Sequence, residues 1–180
     1  MNLFKRKAKD VSYYDIQSQA DLPFLATPEE VITEAFKVLE HDFGLRRKSH
    51  QKFIDLGSGT GDVVLRCARE YGIPAHGIEI NENLVNIARQ KVKQARLKHV
   101  KLWKGDLFAY KLEQYDFIFL FSLPHNQKFL NHVFVTAKHG AIITAYKYPL
   151  DELEPLLSLK KTQVVKVDGK SFELFFYERV

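Results

Sequence analysis

Cysteine is nearly absent from this chain, since Cys67 is the only one among 180 residues. A lone cysteine cannot form an internal disulfide, so a disulfide-stabilised fold is excluded and a reducing compartment is favoured. The residues around Cys67 are mostly apolar, which predicts a buried, unreactive thiol rather than a nucleophile. The seven histidines form no H-x-H or H-E-x-x-H pair, and we therefore expect no metal.

Long apolar runs are missing as well. No stretch approaches the roughly 18 apolar residues of a transmembrane helix, and the amino terminus lacks the apolar core of a signal peptide. We therefore expect a soluble, cytoplasmic monomer without a membrane span. The length suits one domain, and we assign residues 1–20 to an N-terminal arm and residues 21–180 to the domain.

The excess of positive charge is modest, with 27 Lys and Arg against 22 Asp and Glu, or +5. Basic residues gather in short runs, among them 5–7, 46–48, 91–98 and 160–161, as a nucleic-acid or anionic-membrane footprint would. No run interleaves aromatic residues with the charges, as stacking platforms for nucleic acid do. Solvated surfaces are thus the favoured interpretation, and nucleic acid is a possible but not favoured partner.

The most informative segment spans residues 53–62 and reads FIDLGSGTGD. It predicts a buried strand that turns through three glycines into a helix, followed by a second strand that ends in an acid, Glu79. This is the pattern of a nucleoside-binding βαβ unit. The glycine spacing is G-x-G-x-G rather than the G-x-G-x-x-G of dinucleotide enzymes, which disfavours a dehydrogenase.

Carboxylates flank this glycine segment. Asp55 enters it and Asp62 opens the helix, where a pyrophosphate would require neutral or basic surroundings. A ligand with a cationic group fits better. S-adenosylmethionine carries a sulfonium and an amino group, and its ribose diol suits the acceptor oxygens of Glu79.

Strands and helices alternate along the body of the chain. The first helix has a start signal at residues 27–30, with Thr27 as N-cap and Pro28 as the first helical residue, and it should end at Gly44. Hydrophobic periodicity predicts strands at 52–56, 75–80, 100–103, 115–121 and 141–146, and helices at 62–71, 82–97 and 127–137. Residues 162–167 and 171–178 form a predicted hairpin around Asp168-Gly169. The prediction is an α/β fold with a mixed sheet and helices on both faces.

Small molecules bind such sheets outside the carboxyl ends of the strands, so the loops there supply the candidate cofactor-binding residues. They are Asp55, Gly57, Ser58, Gly59, Gly61, Glu79, Ile80, Asn81, Asp106, Leu107 and Phe121. Asp106 can accept the exocyclic amine of an adenine, and Leu107 and Phe108 can flank the ring. Structural alternatives stay open: the glycines could serve only a turn, Glu79 could pair with a lysine, and Asp106 could cap the next turn.

The fourth loop, residues 121–126, should face the reactive methyl. Its Ser122-Leu123-Pro124-His125 is weakly similar to the D/N/S-P-P-Y/F loop that positions amine nucleophiles in base methyltransferases. Histidine is the residue type that most often serves as a general base, so His125 is a candidate for that role. A lone loop histidine is more often a surface or capping residue.

Together the four loops resemble those of class I S-adenosylmethionine-dependent methyltransferases, which implies a Rossmann-like seven-stranded sheet with an antiparallel last strand. Residues 22–31, LPFLATPEEV, are similar to the P-Y/F-V-P-S/T-P-E-x-V segment of a small group of archaeal and mitochondrial protein-lysine methyltransferases. GIEIN at 77–81, GDLF at 105–108 and YKYP at 146–149 also resemble that group. Departures are Ala26 for its second proline and TGD at 60–62 for its D-G-R.

The resemblance implies S-adenosylmethionine as cofactor and a protein lysine as methyl acceptor. It implies substrate contacts from Phe24, Pro124 and Tyr146, and catalytic roles for Thr27, Ser122 and Tyr148. Phe24, Phe121, Tyr146 and Tyr148 are expected as walls of an acceptor channel, although by residue type each could equally be plain core. Phe117 and Phe119 are assigned to the core. Alternatives are an RNA or small-molecule methyltransferase with the same cofactor, and a non-catalytic nucleoside-binding protein.

Overall fold

The computed structural model describes residues 25–180, so Phe24 and the proposed arm lie outside the described residues. Strands and helices alternate until the chain closes in a hairpin, as predicted. The helices are α1 (Glu29–Phe43), α2 (Asp62–Tyr71), α3 (Glu82–Gln94), α4 (Pro124–Gln127) and α5 (Asn131–Phe134), with 3₁₀ turns at Leu107–Ala109 and Asp151–Leu153. The strands are β1 (Phe53–Leu56), β2 (Ala75–Glu79), β3 (Val100–Lys104), β4 (Phe117–Phe121), β5 (Ile142–Tyr146), β6 (Leu157–Val167) and β7 (Lys170–Arg179).

All seven strands form one sheet in the order β3-β2-β1-β4-β5-β7-β6. β1 to β5 are mutually parallel, and β7 runs antiparallel to both β5 and β6. The predicted Rossmann-like mixed sheet with an antiparallel hairpin is therefore confirmed. The strand order reverses beside β1, so the crevice between the tips of β1 and β4 is the expected ligand site.

Both faces of the sheet are buried, because alternate residues of the central strands enter different cores. Phe53, Phe117 and Phe119 pack beneath α1 and α2 in one core. Ile54 and Ile118 enter the other, which is covered by α5 and the two 3₁₀ turns. Helical cover on both faces is thus confirmed, and so is the core assignment of Phe117 and Phe119.

The start of α1 corrects one prediction. Pro28 rather than Thr27 occupies the N-cap position, and no side chain caps the helix. The Pro28 backbone is extended, with ψ 146°, while its carbonyl accepts the first helical hydrogen bond from Ile32 N at 3.0 Å. The proline therefore precedes the helix instead of opening it. Gly44 ends α1 in the left-handed conformation, as predicted.

The prediction of one continuous helix at 127–137 is wrong. Two short helices, α4 and α5, replace it, with a break at residues 128–130. The buried Gln127 side chain donates to Pro149 O at 2.7 Å, which holds α4 against the loop after β5. Leu130 N bonds to Gln127 O, a three-residue spacing that interrupts the helical ladder. The apolar periodicity was real, since Leu130, Val133 and Phe134 are all buried.

Cys67 is fully buried in α2, and burial raises the pKa of its thiol well above the usual value. The predicted inert thiol is confirmed in its burial. Within residues 25–180 no helix has the length and apolarity needed to cross a bilayer.

Candidate active site

Glu79 joins the tips of β1 and β2. One of its carboxylate oxygens accepts the Gly59 backbone N–H at 2.9 Å, and the other accepts the Asn81 N–H at 2.8 Å. Each oxygen keeps a further lone pair, so the carboxylate can still accept hydroxyl groups. Asn81 caps α3 by accepting from Asn83 N and Leu84 N. The glycine loop and the second loop are therefore held together at one point.

The glycine loop is fixed to β2 by its backbone, because Gly57 N and Ser58 N both donate to Ile78 O, at 2.9 and 3.0 Å. Gly57 adopts a φ of +82°, and an added Cβ would be in van der Waals contact with Leu107 Cδ2, at 3.9 Å. The Gly57 backbone and the Leu107 side chain therefore lie close together at the tip of β1.

Gly61 permits a close approach between the glycine loop and a helix. A Cβ on Gly61 would come within 3.0 Å of Ala88 Cβ in α3. The glycine therefore brings the loop against the following helix. A second glycine, Gly77 in β2, was missed as a site residue: its added Cβ would lie 2.6 Å from Ser58 Oγ.

Asp55 is the most perturbed group at the strand tips. It is 4% exposed, and no hydrogen bond to its carboxylate is found within residues 25–180. Burial, followed by the negative charges of Glu79 and Asp62, raises the pKa of Asp55 well above its ordinary value. A negative charge on a carboxylate in such a buried environment is costly, and a cation placed beside it would relieve that cost.

Asp62 plays a smaller part than expected. Its exposed carboxylate pairs with Lys91 Nζ at 2.7 Å and accepts from Thr60 Oγ1 at 2.6 Å. The ion pair neutralises much of its charge. The electronegative character of the crevice therefore rests mainly on Asp55 and Glu79.

In the third loop, Asp106 caps the 3₁₀ turn by accepting from Phe108 N at 2.9 Å through one carboxylate oxygen. The structural alternative for Asp106 is thus realised, while the second oxygen remains able to accept. Phe108 lies in the core, which corrects the expectation that it flanks a ligand. Leu107, half-buried beside Gly57, is left as the apolar contact; Ile80 is half-buried at the end of β2.

An aromatic cluster lies at the carboxyl ends of β4 and β5. The Phe121 ring centroid is 5.8 Å from that of Tyr146 and 6.0 Å from that of Tyr148. Phe172 of β7 adds a fourth ring, 6.1 Å from Tyr146. Sequence reasoning missed Phe172, which lies far from Tyr146 in the sequence, beyond the turn between β6 and β7. The two rings meet only because β7 pairs antiparallel with β5.

The other candidate side chains are less firmly placed. Ser122 is half-buried, and its hydroxyl donates to Leu123 O at 3.4 Å. Pro124 and His125 are exposed in the first turn of α4. Thr27 precedes α1, and within residues 25–180 no hydrogen bond or ion pair links it to the aromatic cluster. Their assigned roles stay predictions.

Residues 55–157, more than half of the chain, match the model of the ANTKMT methyltransferase domain. The chain belongs to this family. The ANTKMT match includes the glycine loop, Glu79, Asp106 and the aromatic residues of β4 and β5, and it confirms the resemblance to class I methyltransferases.

Two curated relatives and one solved structure accompany the ANTKMT match. The chain is 27% identical to the Mus musculus lysine N-methyltransferase of the ATP synthase C subunit, over 74% of its own length and 52% of that protein. It is 28% identical to phosphoethanolamine N-methyltransferase 2 of Caenorhabditis elegans over 55% of its length and 24% of that protein. It thus spans about half and about a quarter of these two relatives. An RNA methyltransferase from Salinibacter ruber has the same fold, with a TM-score of 0.71 at 24% identity over 86% of this chain and 94% of the other.

The residues of this ANTKMT domain fit S-adenosylmethionine. The Asp55 carboxylate is buried where a cationic group is expected, and no hydrogen bond to it is found among the described residues. Glu79 and Asp106 each keep acceptor capacity after their backbone contacts. The chemistry of this donor set is acidic and neutral, which suits a cationic adenosyl ligand better than a pyrophosphate.

Proposed function

We propose that this chain is an S-adenosylmethionine-dependent methyltransferase that acts on lysine ε-amines of proteins. One juxtaposition carries the proposal: the acidic tips of β1 and β2 lie beside an aromatic cluster at the tips of β4 and β5. The first feature suits a cationic methyl donor. The second suits an alkylamine that must arrive as a cation and react as a neutral base.

The chain's own residues would hold the donor in three places. Asp55 supplies negative charge for its amino and sulfonium end, Glu79 accepts from the ribose hydroxyls, and Asp106 accepts from the adenine amine through its second oxygen. Leu107 and Ile80 flank the base. When bound, the donor supplies a methyl group already activated by its sulfonium, so the protein contributes alignment rather than activation.

The lysine acceptor must lose a proton before it can react, because an ammonium nitrogen has no lone pair. A lysine that enters between Phe121, Tyr146 and Tyr148 loses water, and desolvation lowers its pKa. The ring faces attract the cation on entry, which helps to offset that desolvation. The ammonium would lose its proton to solvent before transfer, so no dedicated base is needed. The neutral amine held by these residues could then accept the methyl group that a bound donor would supply, and the donor would leave as a thioether.

Four further residues complete the proposal for the acceptor side. Ser122 and Thr27 carry hydroxyls that can orient the amine. Pro124, and Phe24 outside the described residues, are the further proposed substrate contacts. These positions follow from the family resemblance. The mouse relative is named for a lysine in the C subunit of ATP synthase, and since this chain spans about half of that protein, we propose only the chemical class of acceptor, a protein with an accessible lysine.

Methyl transfer into a cell lysate tests the proposal. Labelled S-adenosylmethionine is supplied to wild type and to Asp55→Asn, and the products are treated separately with protease and with nuclease. We expect protease-sensitive label from the wild type alone, with methyl-lysine identified by mass spectrometry. Nuclease-sensitive label would assign the chain to RNA instead, and an absence of calorimetric binding of the donor would overturn both assignments.

A further inference from the structure

The end of the sheet opposite the proposed active site carries an unusual set of cations. Loops before β1, β3 and β4 converge there, because β1 to β5 are parallel and share their amino ends. Six exposed basic side chains emerge from these loops or from the first residues of β3. They define the amino-end face: Arg46, Lys48, Arg96, Lys98, Lys101 and Lys111.

These six cations have no ion-pair partner within residues 25–180, and three acids near them are engaged by other basic residues. Asp116 holds Lys138 at 2.6 Å, Glu70 holds Arg66, and Asp42 holds Lys161. Glu113 is an exposed acid at this end for which no ion pair is found among the described residues. The amino-end face therefore presents concentrated, uncompensated positive charge.

The field of these charges reaches the interior. His76, buried in β2, has its pKa lowered to about 4, first by burial and then by the charges of Lys101 and Lys52. Two of the six cations also have a strained backbone conformation. Lys48 and Arg96 adopt φ values of +53° and +50°, in the left-handed region that favours glycine. Lys48 and Arg96 follow helix carboxyl ends and complement their dipoles. That role does not explain Lys98, Lys101 and Lys111.

The backbone decides which anion suits this face. α1, α2 and α3 all point their carboxyl ends here, so helix ends present carbonyl groups rather than N–H groups. Nucleic-acid binders position phosphates with backbone N–H groups and helix amino ends, and single strands are held by stacked aromatics. Tyr110 adjoins Lys111 and Trp103 lies two residues after Lys101, but both rings are half-buried and pack against each other, with centroids 5.7 Å apart. What remains is diffuse attraction by long side chains from separate loops, spread over the spacing of several strands.

We infer that the amino-end face binds the surface of an anionic lipid membrane. Charge on such a surface is delocalised, so it attracts scattered Lys and Arg side chains without a shaped pocket. Binding through this face leaves the crevice at the carboxyl ends of the strands open to substrate. The inference stands independently of the proposed methyl transfer, because it uses none of the crevice residues.

The test is co-sedimentation of the full chain with vesicles of phosphatidylcholine, with and without phosphatidylserine, over a range of salt concentrations. We expect binding only with phosphatidylserine and a steep loss as salt rises. Replacing Lys98, Lys101 and Lys111 together by Gln should weaken partitioning on the order of a hundredfold, since each nearby cation contributes about fivefold.

The matched control replaces Lys128, Lys166 and Lys170 by Gln. These exposed lysines follow β4 or flank the hairpin turn, at the opposite end of the sheet, and should leave partitioning within about twofold because salt screens charges beyond roughly 10 Å. Circular dichroism and calorimetric donor binding verify that both variants are folded.

Three outcomes would overturn the inference. They are equal binding to vesicles with and without phosphatidylserine, equal loss in both triple variants, and preferential retention on RNA over anionic vesicles at the same salt. The His76 ring gives a second readout by NMR. Its pKa should rise when vesicles neutralise Lys101, and an unchanged value at saturating lipid would contradict binding through this face.

Discussion

Replacing Gly77 in β2 by alanine should displace the glycine loop after β1, because the added Cβ would clash with Ser58 in that loop. The added Cβ would lie 2.6 Å from Ser58 Oγ, 2.7 Å from Ser58 Cβ and 2.9 Å from Leu102 Cδ2. The Leu102 methyl and the Ser58 hydroxyl can rotate away, but Ser58 Cβ moves only with its backbone. That backbone is held by the bond from Ser58 N to Ile78 O at 3.0 Å.

The magnitude follows from overpacking. Forcing one extra methyl group into a filled site costs about 1–3 kcal/mol. A domain of this size loses about 2–4 °C of Tm for each kcal/mol, so Tm should fall by roughly 2–12 °C. The displaced loop also misplaces the Gly57 and Gly59 backbone, and we expect the Kd for S-adenosylmethionine to rise at least about tenfold, or roughly 1.4 kcal/mol.

Differential scanning calorimetry and isothermal titration measure the two effects. Gly140→Ala is the matched control: its φ of +80° strains an alanine by about 1–2 kcal/mol, yet nothing lies within 4 Å and the position precedes β5, at the amino ends of the strands. It should lose stability and keep donor affinity. Adding Ser58→Gly to Gly77→Ala removes the two clashing Ser58 atoms, though not Leu102 Cδ2, and should restore part of the lost stability. A Gly77→Ala protein with wild-type Tm and Kd would refute the reasoning.

Three further outcomes are expected. Asp55→Asn should stabilise the donor-free protein near neutral pH while abolishing donor binding. The pKa of Asp55 is raised in the folded state, so wild-type stability falls as pH rises above about 4. Urea unfolding across pH checks this, and an Asn variant that is less stable than wild type at pH 7 would contradict it. His76 should contribute to stability with the opposite pH dependence. Its pKa of about 4, below the usual 6.5, predicts that the stability of the wild type falls as pH drops from 6.5 towards 4. A His76→Phe variant that loses the same stability over this pH range would disprove the contribution. Phe172→Ala should lower methyl transfer about tenfold with an unchanged donor Kd, because Phe172 contacts Tyr146 rather than the acidic tips; a changed Kd with normal turnover would argue against an acceptor channel.

The elements set by local sequence were predictable. α2 occupies Asp62–Tyr71 as expected, because glycines precede and follow it, and Asn81 caps α3 because its side chain reaches two amides of the first turn. The donor-binding loops were predictable for the same reason. Their glycines and acids lie at the ends of strands with clear hydrophobic patterns.

Features that depend on distant pairings were not predictable. Gly77 is required by a contact with Ser58, and Phe172 joins the aromatic cluster only because β7 inserts between β5 and β6. The break between α4 and α5 depends on a hydrogen bond from Gln127 to the loop after β5. The prediction of Thr27 as the N-cap of α1 was wrong for a local reason, because Pro28 itself occupies the N-cap position. Periodicity reports which residues are buried, not which partners they meet.

The bridge made by Glu79 bears on how fast a donor can bind. Its carboxylate already fixes the Gly59 and Asn81 amides, so two loops are ordered before any ligand arrives. Association then requires little rearrangement and loses little chain entropy. Stopped-flow mixing should accordingly show a single concentration-dependent phase, whereas Glu79→Gln, which weakens the bridge, should add a slower step as the loops assemble around the nucleoside.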